Sequence, residues 1–213
     1  MTTTASRIRT FSTNKPLVRQ RRREIARAAV KVFAKKGYSR AGMRDIARTC
    51  GVTTGTLYYY VGSKRDILNL VAELSLVTHS DRFGELVNLV TELPPLEAIR
   101  QAIKVYLEHV NENQDLYIFL DHLPATLSRK EREPLLKTGS VHSDYFSTLL
   151  ERVIQDGEFG RVDCRFVAGV LVREANGWAH SRWVLRKRYT LEDYTDRLTE
   201  LIMIALRNGA PEV

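Results

Sequence analysis

Twenty-two residues, Met43 to Lys64 (MRDIARTCGVTTGTLYYYVGSK), constrain the fold of this chain more than any other stretch. Ile46 and Ala47 fall on the inward side of a short helix. Gly51 follows it, where the chain must turn sharply and a left-handed backbone suits glycine. Val52 and Leu57 can then pack back on Ile46, and Thr53 can cap a second helix by accepting a free backbone N–H. This is the layout of a helix-turn-helix, a motif that sets one short helix in the major groove of DNA.

The second helix is expected over Thr54 to Tyr60. It has one apolar anchor, Leu57, and is otherwise Thr, Gly and Tyr, which is too polar for a core helix. Small residues at its start admit close backbone approach to base edges, and the tyrosines offer hydroxyls and flat apolar faces. A third helix begins at Ser63-Lys64-Arg65-Asp66, close to a capping box, where free N–H groups and Lys64 could hold a phosphate. The competing reading is a plain three-helix packing unit. Against it stands the joint spacing of Ala47, Gly51 and Leu57 with exposed hydroxyls on the second helix.

Arg21 to Leu70 resembles the DNA-binding domain of the tetracycline-repressor (TetR) family of bacterial regulators. The runs that carry the resemblance are AAVKVFAKKGY, RDIA, GVTTGTLYYYV and SK, within a span that is about a quarter of the chain. Family members often have histidine where this chain has Tyr60, and threonine as the cap where it has Gly42; glycine is an acceptable cap. The resemblance implies that Arg44, Thr54, Gly55, Thr56 and Tyr58 meet bases or nearby phosphates. It implies that Thr53, Tyr59, Tyr60 and Lys64 chiefly hold the DNA backbone.

Charge divides the 213 residues. Residues 1–66 hold sixteen Lys and Arg against three Asp and Glu, whereas residues 67–213 hold seventeen against twenty-two. Beside this motif a basic end favours a nucleic-acid partner. Residues 1–17 form a basic stretch without periodicity. It is either a solvated terminus or an arm that tracks phosphates through Arg7 and Arg9. Cys50 and Cys164 have no metal-ligand or redox spacing, which with no signal peptide fits a reducing cytoplasm. The five histidines have no metal-binding spacing, and no nucleophile, phosphate-loop or dinucleotide motif occurs. No enzyme, metal site, cofactor or membrane span is expected.

No segment alternates as a strand does, so the chain reads as all-α. A basic arm (1–17) precedes a three-helix helix-turn-helix domain (18–66) and a helical effector-binding and dimerisation domain (67–213). Helices are expected over Val18–Lys36, from Ser63 to about Leu89, over Leu96–Asn111, over Asp115–Leu123, from Ser128 to the Gly157–Gly160 turn, and over Asp163–Leu185 and Leu191–Asn208. The last two carry more apolar surface than one partner helix covers. They could pair with a second copy in a four-helix bundle, as the resemblance implies, or close an intrachain core. Val167, Val170, Leu171, Leu198, Leu201 and Ile202 are the candidate interface.

The functional expectation is a ligand-responsive repressor: a homodimer on a palindromic operator, released by a small apolar or amphipathic effector. Tyr106, Phe119, His122, Tyr145, Asn176 and Trp178 are the candidate pocket residues. The C-terminal pattern loosely resembles family members that sense lipid-like or acyl-CoA molecules. The alternative is a structural or partner-recruiting DNA binder of the same fold without a small-molecule switch.

Overall fold

The computed structural model describes residues 15–75, 93–123, 127–155 and 159–209. Every regular element among them is helical: α1 (Lys15–Lys36), α2 (Met43–Cys50), α3 (Thr54–Tyr60), α4 (from 64 through 75), α5 (Pro95–Glu112), α6 (Gln114–Asp121), α7 (Arg129–Gln155), α8 (Cys164–His180), α9 (Arg182–Leu185) and α10 (Leu191–Asn208). None is long and apolar enough to cross a membrane. The arm residues Arg7 and Arg9, the far part of the expected long helix and the turn at Gly157 lie outside the described residues.

The chain forms two compact units, and they do not follow the linear division expected. Met1–Val77 is joined by Phe119–Leu135, while Thr78–Ile118 is joined by Leu136–Val213. In the first unit, α1 buries Ile25, Ala26, Ala29, Val32 and Phe33 against Ile46 and Ala47 of α2 and Leu57 of α3. It starts three residues earlier than expected, because Pro16 suits a first helical turn. Gly37, at φ +76°, ends it, and its N–H donates to the Phe33 carbonyl at 2.8 Å.

Phe119 belongs to this unit too, with its ring 5.1 Å from that of Phe33. Leu127 and Leu135 are buried. Glu131 ties down the start of α7: it accepts from the Ser128 N–H at 2.9 Å and from Arg65 Nε at 2.6 Å.

The second unit packs α5, α8 and α10 on one another, with the later part of α7. Ile99, Ile103, Tyr106 and Leu107 of α5 meet Phe146 and Leu150 of α7, Leu171 and Trp178 of α8, and Leu198 and Ile202 of α10. Two of these helices open on side-chain caps. Asp163 accepts from the Phe166 N–H at 3.0 Å to open α8, and Thr190 and Asp193 form a reciprocal capping box on α10. The single helix expected over Asp163–Leu185 is broken. α8 closes on the Ser181 N–H bonded to the Gly177 carbonyl at 2.8 Å, and the Ser181 carbonyl then starts the short turn α9.

This packing corrects the interface expectation. Leu171, Leu198 and Ile202 are buried in the protomer's own core, so they offer no surface to a second copy. Val167 and Val170 are half-buried. Leu201 is 52% exposed, and Ile204 of α10 and Phe166 of α8 are exposed as well.

Candidate nucleic-acid interface

Seven residues are too few for a helix to persist in isolation, so α3 depends on its ends and its anchor. Thr53 Oγ1 accepts from the Thr56 N–H at 3.0 Å and lies 2.8 Å from the Thr56 hydroxyl. Leu57 is fully buried beneath, and the Val61 N–H closes the helix on the Leu57 carbonyl at 3.1 Å. Upstream, Gly51 adopts φ +72° and its N–H returns to the Arg48 carbonyl at 3.2 Å. The Val52 N–H reaches the Ala47 carbonyl at 3.0 Å.

These contacts hold one face of α3 down and leave the other outward. Tyr58 is 48% and Tyr59 37% exposed, while Tyr60 is half-buried with its ring edge-on to Tyr59 at 5.2 Å. Gly55 and Thr56 are exposed and Thr54 half-buried. A Cβ on Gly55 would meet only Thr53 Oγ1, at an ordinary 3.8 Å. The fold therefore does not require glycine there; close approach from outside is what the missing side chain permits. Arg44, in the first turn of α2, is exposed.

Lys64 behaves differently from the phosphate ligand expected. Its ammonium donates to the carbonyls of Tyr38 at 2.8 Å, Ala41 at 3.0 Å and Ser39 at 3.4 Å, and sits 4.4 Å from the centre of the Tyr38 ring. Its three protons thus have three internal acceptors, and Lys64 shapes the turn between α1 and α2. The expected capping box at Ser63 is also shifted. Ser63 Oγ accepts from the Asp66 N–H at 3.2 Å, but the Asp66 carboxylate accepts from the Gly62 N–H at 3.0 Å.

Two supports have no counterpart in the sequence reading. Arg22 Nε donates to the Tyr60 carbonyl at 3.2 Å, fastening α1 to the end of α3. Asp45 joins α2 to α1: Lys36 at 2.7 Å, then the Gly42 N–H at 3.2 Å, hold its carboxyl below the usual range. Glycine at the cap supplies no side chain, so this is only the acidic half of a capping box.

The candidate pocket residues separate. Phe119 is in the first unit's core and His122 is exposed, so neither joins the second unit's interior. Tyr106, Asn176 and Trp178 do converge there, with Tyr145 half-buried beside Phe146 at 5.6 Å. The buried Tyr106 hydroxyl donates to Asn176 Oδ1 at 2.8 Å and lies 3.3 Å from His142 Nδ1. Burial pushes the Tyr106 phenol well above its ordinary range and that of Tyr145 up to about 12, so both stay protonated. Trp178 Nε1 donates to Asn111 Oδ1 at 2.9 Å, and its ring lies 5.2 Å from Tyr194. His142 and Asn111 carry no sequence signal, because only the helix packing brings them to these partners.

Comparison with known proteins agrees with this geometry. Residues 25–71 match the family described as bacterial regulatory proteins, tetR family. The chain is 28% identical to the HTH-type transcriptional regulator HbdR of Aromatoleum sp. (strain CIB), over 90% of this chain and 83% of that protein. Its fold resembles that of AibR, solved with isovaleryl coenzyme A and operator DNA, with a TM-score of 0.70 at 20% identity over 85% of this chain and 97% of that one. It also resembles FadR from Bacillus subtilis, solved with stearoyl-CoA, with a TM-score of 0.66 at 22% identity over 84% and 96%. At such identities the structural likeness speaks for the fold alone. The helix-turn-helix thus carries the match to the tetR family of bacterial regulatory proteins, over residues 25–71, and the chain as a whole is similar to an HTH-type transcriptional regulator.

Proposed function

We propose that this regulator is a repressor that binds a palindromic operator as a homodimer and is released by an amphipathic effector of the acyl-CoA class. The observation that carries the DNA side is α3: a capped, anchored helix whose outward face is hydroxyls, flat rings and one glycine the fold does not require. Arg44, Thr54, Gly55, Thr56 and Tyr58 are assigned to bases and adjacent phosphates, Tyr59 and Tyr60 to the DNA backbone. Thr53 and Lys64 act by holding the helix and its turn in place.

The homodimer reading rests on the exposed apolar side chains Phe166, Leu201 and Ile204 of α8 and α10. The effector reading rests on the CoA esters bound by AibR and FadR, and on the buried polar group Tyr106–Asn176–His142 that could orient a ligand inside an apolar core. Release requires the effector to prefer a protomer arrangement that fits DNA poorly.

A second reading is a DNA binder without a small-molecule switch. The internal hydrogen bonding of Tyr106 and of Trp178 favours it, since both groups are satisfied with no ligand. One experiment separates the two. DNA fragments selected by the protein are tested by mobility shift, with and without short- and long-chain acyl-CoA. Selective loss of the shifted band supports the first reading, and an unchanged band with every acyl-CoA leaves the second. Failure to select any DNA sinks both.

A further inference from the structure

Every fourth residue of α1 from Lys15 to Lys35 is cationic: Lys15, Arg19, Arg23, Arg27, Lys31 and Lys35. All six are exposed. A step of four residues advances about 6 Å along a helix and turns about 40° around it, so the charges form a slowly winding band. Its first four members, Lys15 to Arg27, stay on one side of the helix over about 18 Å.

Among the described residues none of these four has an acidic partner within ion-pair distance. Glu24, the one acid of α1, is held by Arg21 at 2.7 Å and Gln20 at 3.1 Å. Like charges four residues apart destabilise a helix. Cations in the first turn, which has no acid here, also oppose the helix dipole. The band therefore works against the helix that carries it, and an external polyanion would remove the conflict.

Its surroundings indicate which one. Two open grooves run beside it, one of about 490 Å³ and one of about 270 Å³. Arg19 and Arg23 line both, and Arg22 lines the second with Leu70, Glu73 and Leu74 of α4. Arg22 also holds the Tyr60 carbonyl at the end of α3, so the band is fastened to the reading helix within one unit. A lipid surface would need apolar side chains among the cations, and Leu17 is the one exposed large apolar residue described on α1. Lys15, Arg19 and Arg23 moreover precede the residues matched to the family, which begin at 25.

The geometry points to a second DNA-contacting surface: Lys15, Arg19, Arg23 and Arg27 lie along the phosphate backbone of the duplex flanking the half-site read by α3. This rests on the reading of α3 as the DNA-reading helix. Duplex DNA offers a charge about every 1.7 Å of axis, so a spaced row of cations finds acceptors without any base specificity. The flank supplies affinity, and α3 supplies sequence.

The test uses the full chain and a duplex selected by the chain itself, in one form with long flanks and one trimmed to the outer edges of its half-sites. The variant combines Lys15→Gln, Arg19→Gln, Arg23→Gln and Arg27→Gln, with helical content checked by circular dichroism. On the long duplex its affinity should fall about tenfold or more at low salt, and the slope of log K against log salt should shrink by about 0.9 for each phosphate no longer neutralised. On the trimmed duplex it should equal the wild type. A companion variant, Arg19→Lys with Arg23→Lys and Arg27→Lys, should keep the long-duplex affinity, since charge is what acts. Equal loss on both duplexes, or none on the long one, overturns the proposal. A wild type that selects no duplex overturns the reading of α3 and this surface with it.

Discussion

Lys64 grips its turn through three carbonyls and the face of Tyr38, whereas Tyr58 turns its ring to solvent. Their substitutions should therefore separate stability from recognition. Lys64→Met removes charged hydrogen bonds, each worth about 1.5–3 kcal/mol, from a half-buried site. We expect a lower melting temperature and, through the loosened turn, weaker operator binding. Tyr58→Ala should leave the melting curve in place while weakening the operator complex; unchanged affinity would sink its assignment to DNA. Thr53 is legible as a cap because its partner is three residues away. The partners of Lys64 are not, since they lie twenty-three or more residues upstream, and no local pattern announces a carbonyl.

At the scale of elements, α3 is short enough that one cap decides much of its order. Thr53→Ala should cost about 1 kcal/mol, read as a shift of the denaturant midpoint, and should weaken DNA binding with it. The start of α7 offers a pH handle. The Ser128 hydroxyl and N–H, with Arg65 beside them, hold the Glu131 carboxyl below its ordinary value. A carboxyl depressed in the folded state contributes stability above the unfolded pKa of about 4.3 and loses it as pH falls through the folded value. Glu131→Gln should therefore flatten the acid limb of the stability profile below that pH; an acid limb identical to wild type would remove Glu131 from it. Helix positions are readable because apolar periodicity is local. The break at Ser181 is not, because nothing around it is a strong helix breaker and the apolar pattern continues to Leu185.

For the whole molecule, the sequence ranks α8 and α10 as unusually apolar but does not say which residues face inward. Leu198 and Leu201 are about one helical turn apart with the same chemistry, yet one is buried and the other exposed. The proposed dimer can be tested on that contrast. Leu201→Glu should yield a monomer by sedimentation with its helical content kept, whereas Leu198→Ala should lower stability by about 2–5 kcal/mol. A dimer that survives Leu201→Glu would place the interface elsewhere. The linear domain boundary fails for a similar reason: Phe119 to Leu135 returns to the first unit through Phe33 and Arg65, contacts that arise only in three dimensions.

Gly55 has a consequence for how such a regulator can change. Glycine is a weak helix former, and here the surrounding protein leaves room for a side chain. A newcomer at this position would strengthen α3 while altering what it can touch. With α3 as the proposed reading helix, operator preference would then be open to revision by a single codon, with no compensating repair in the core.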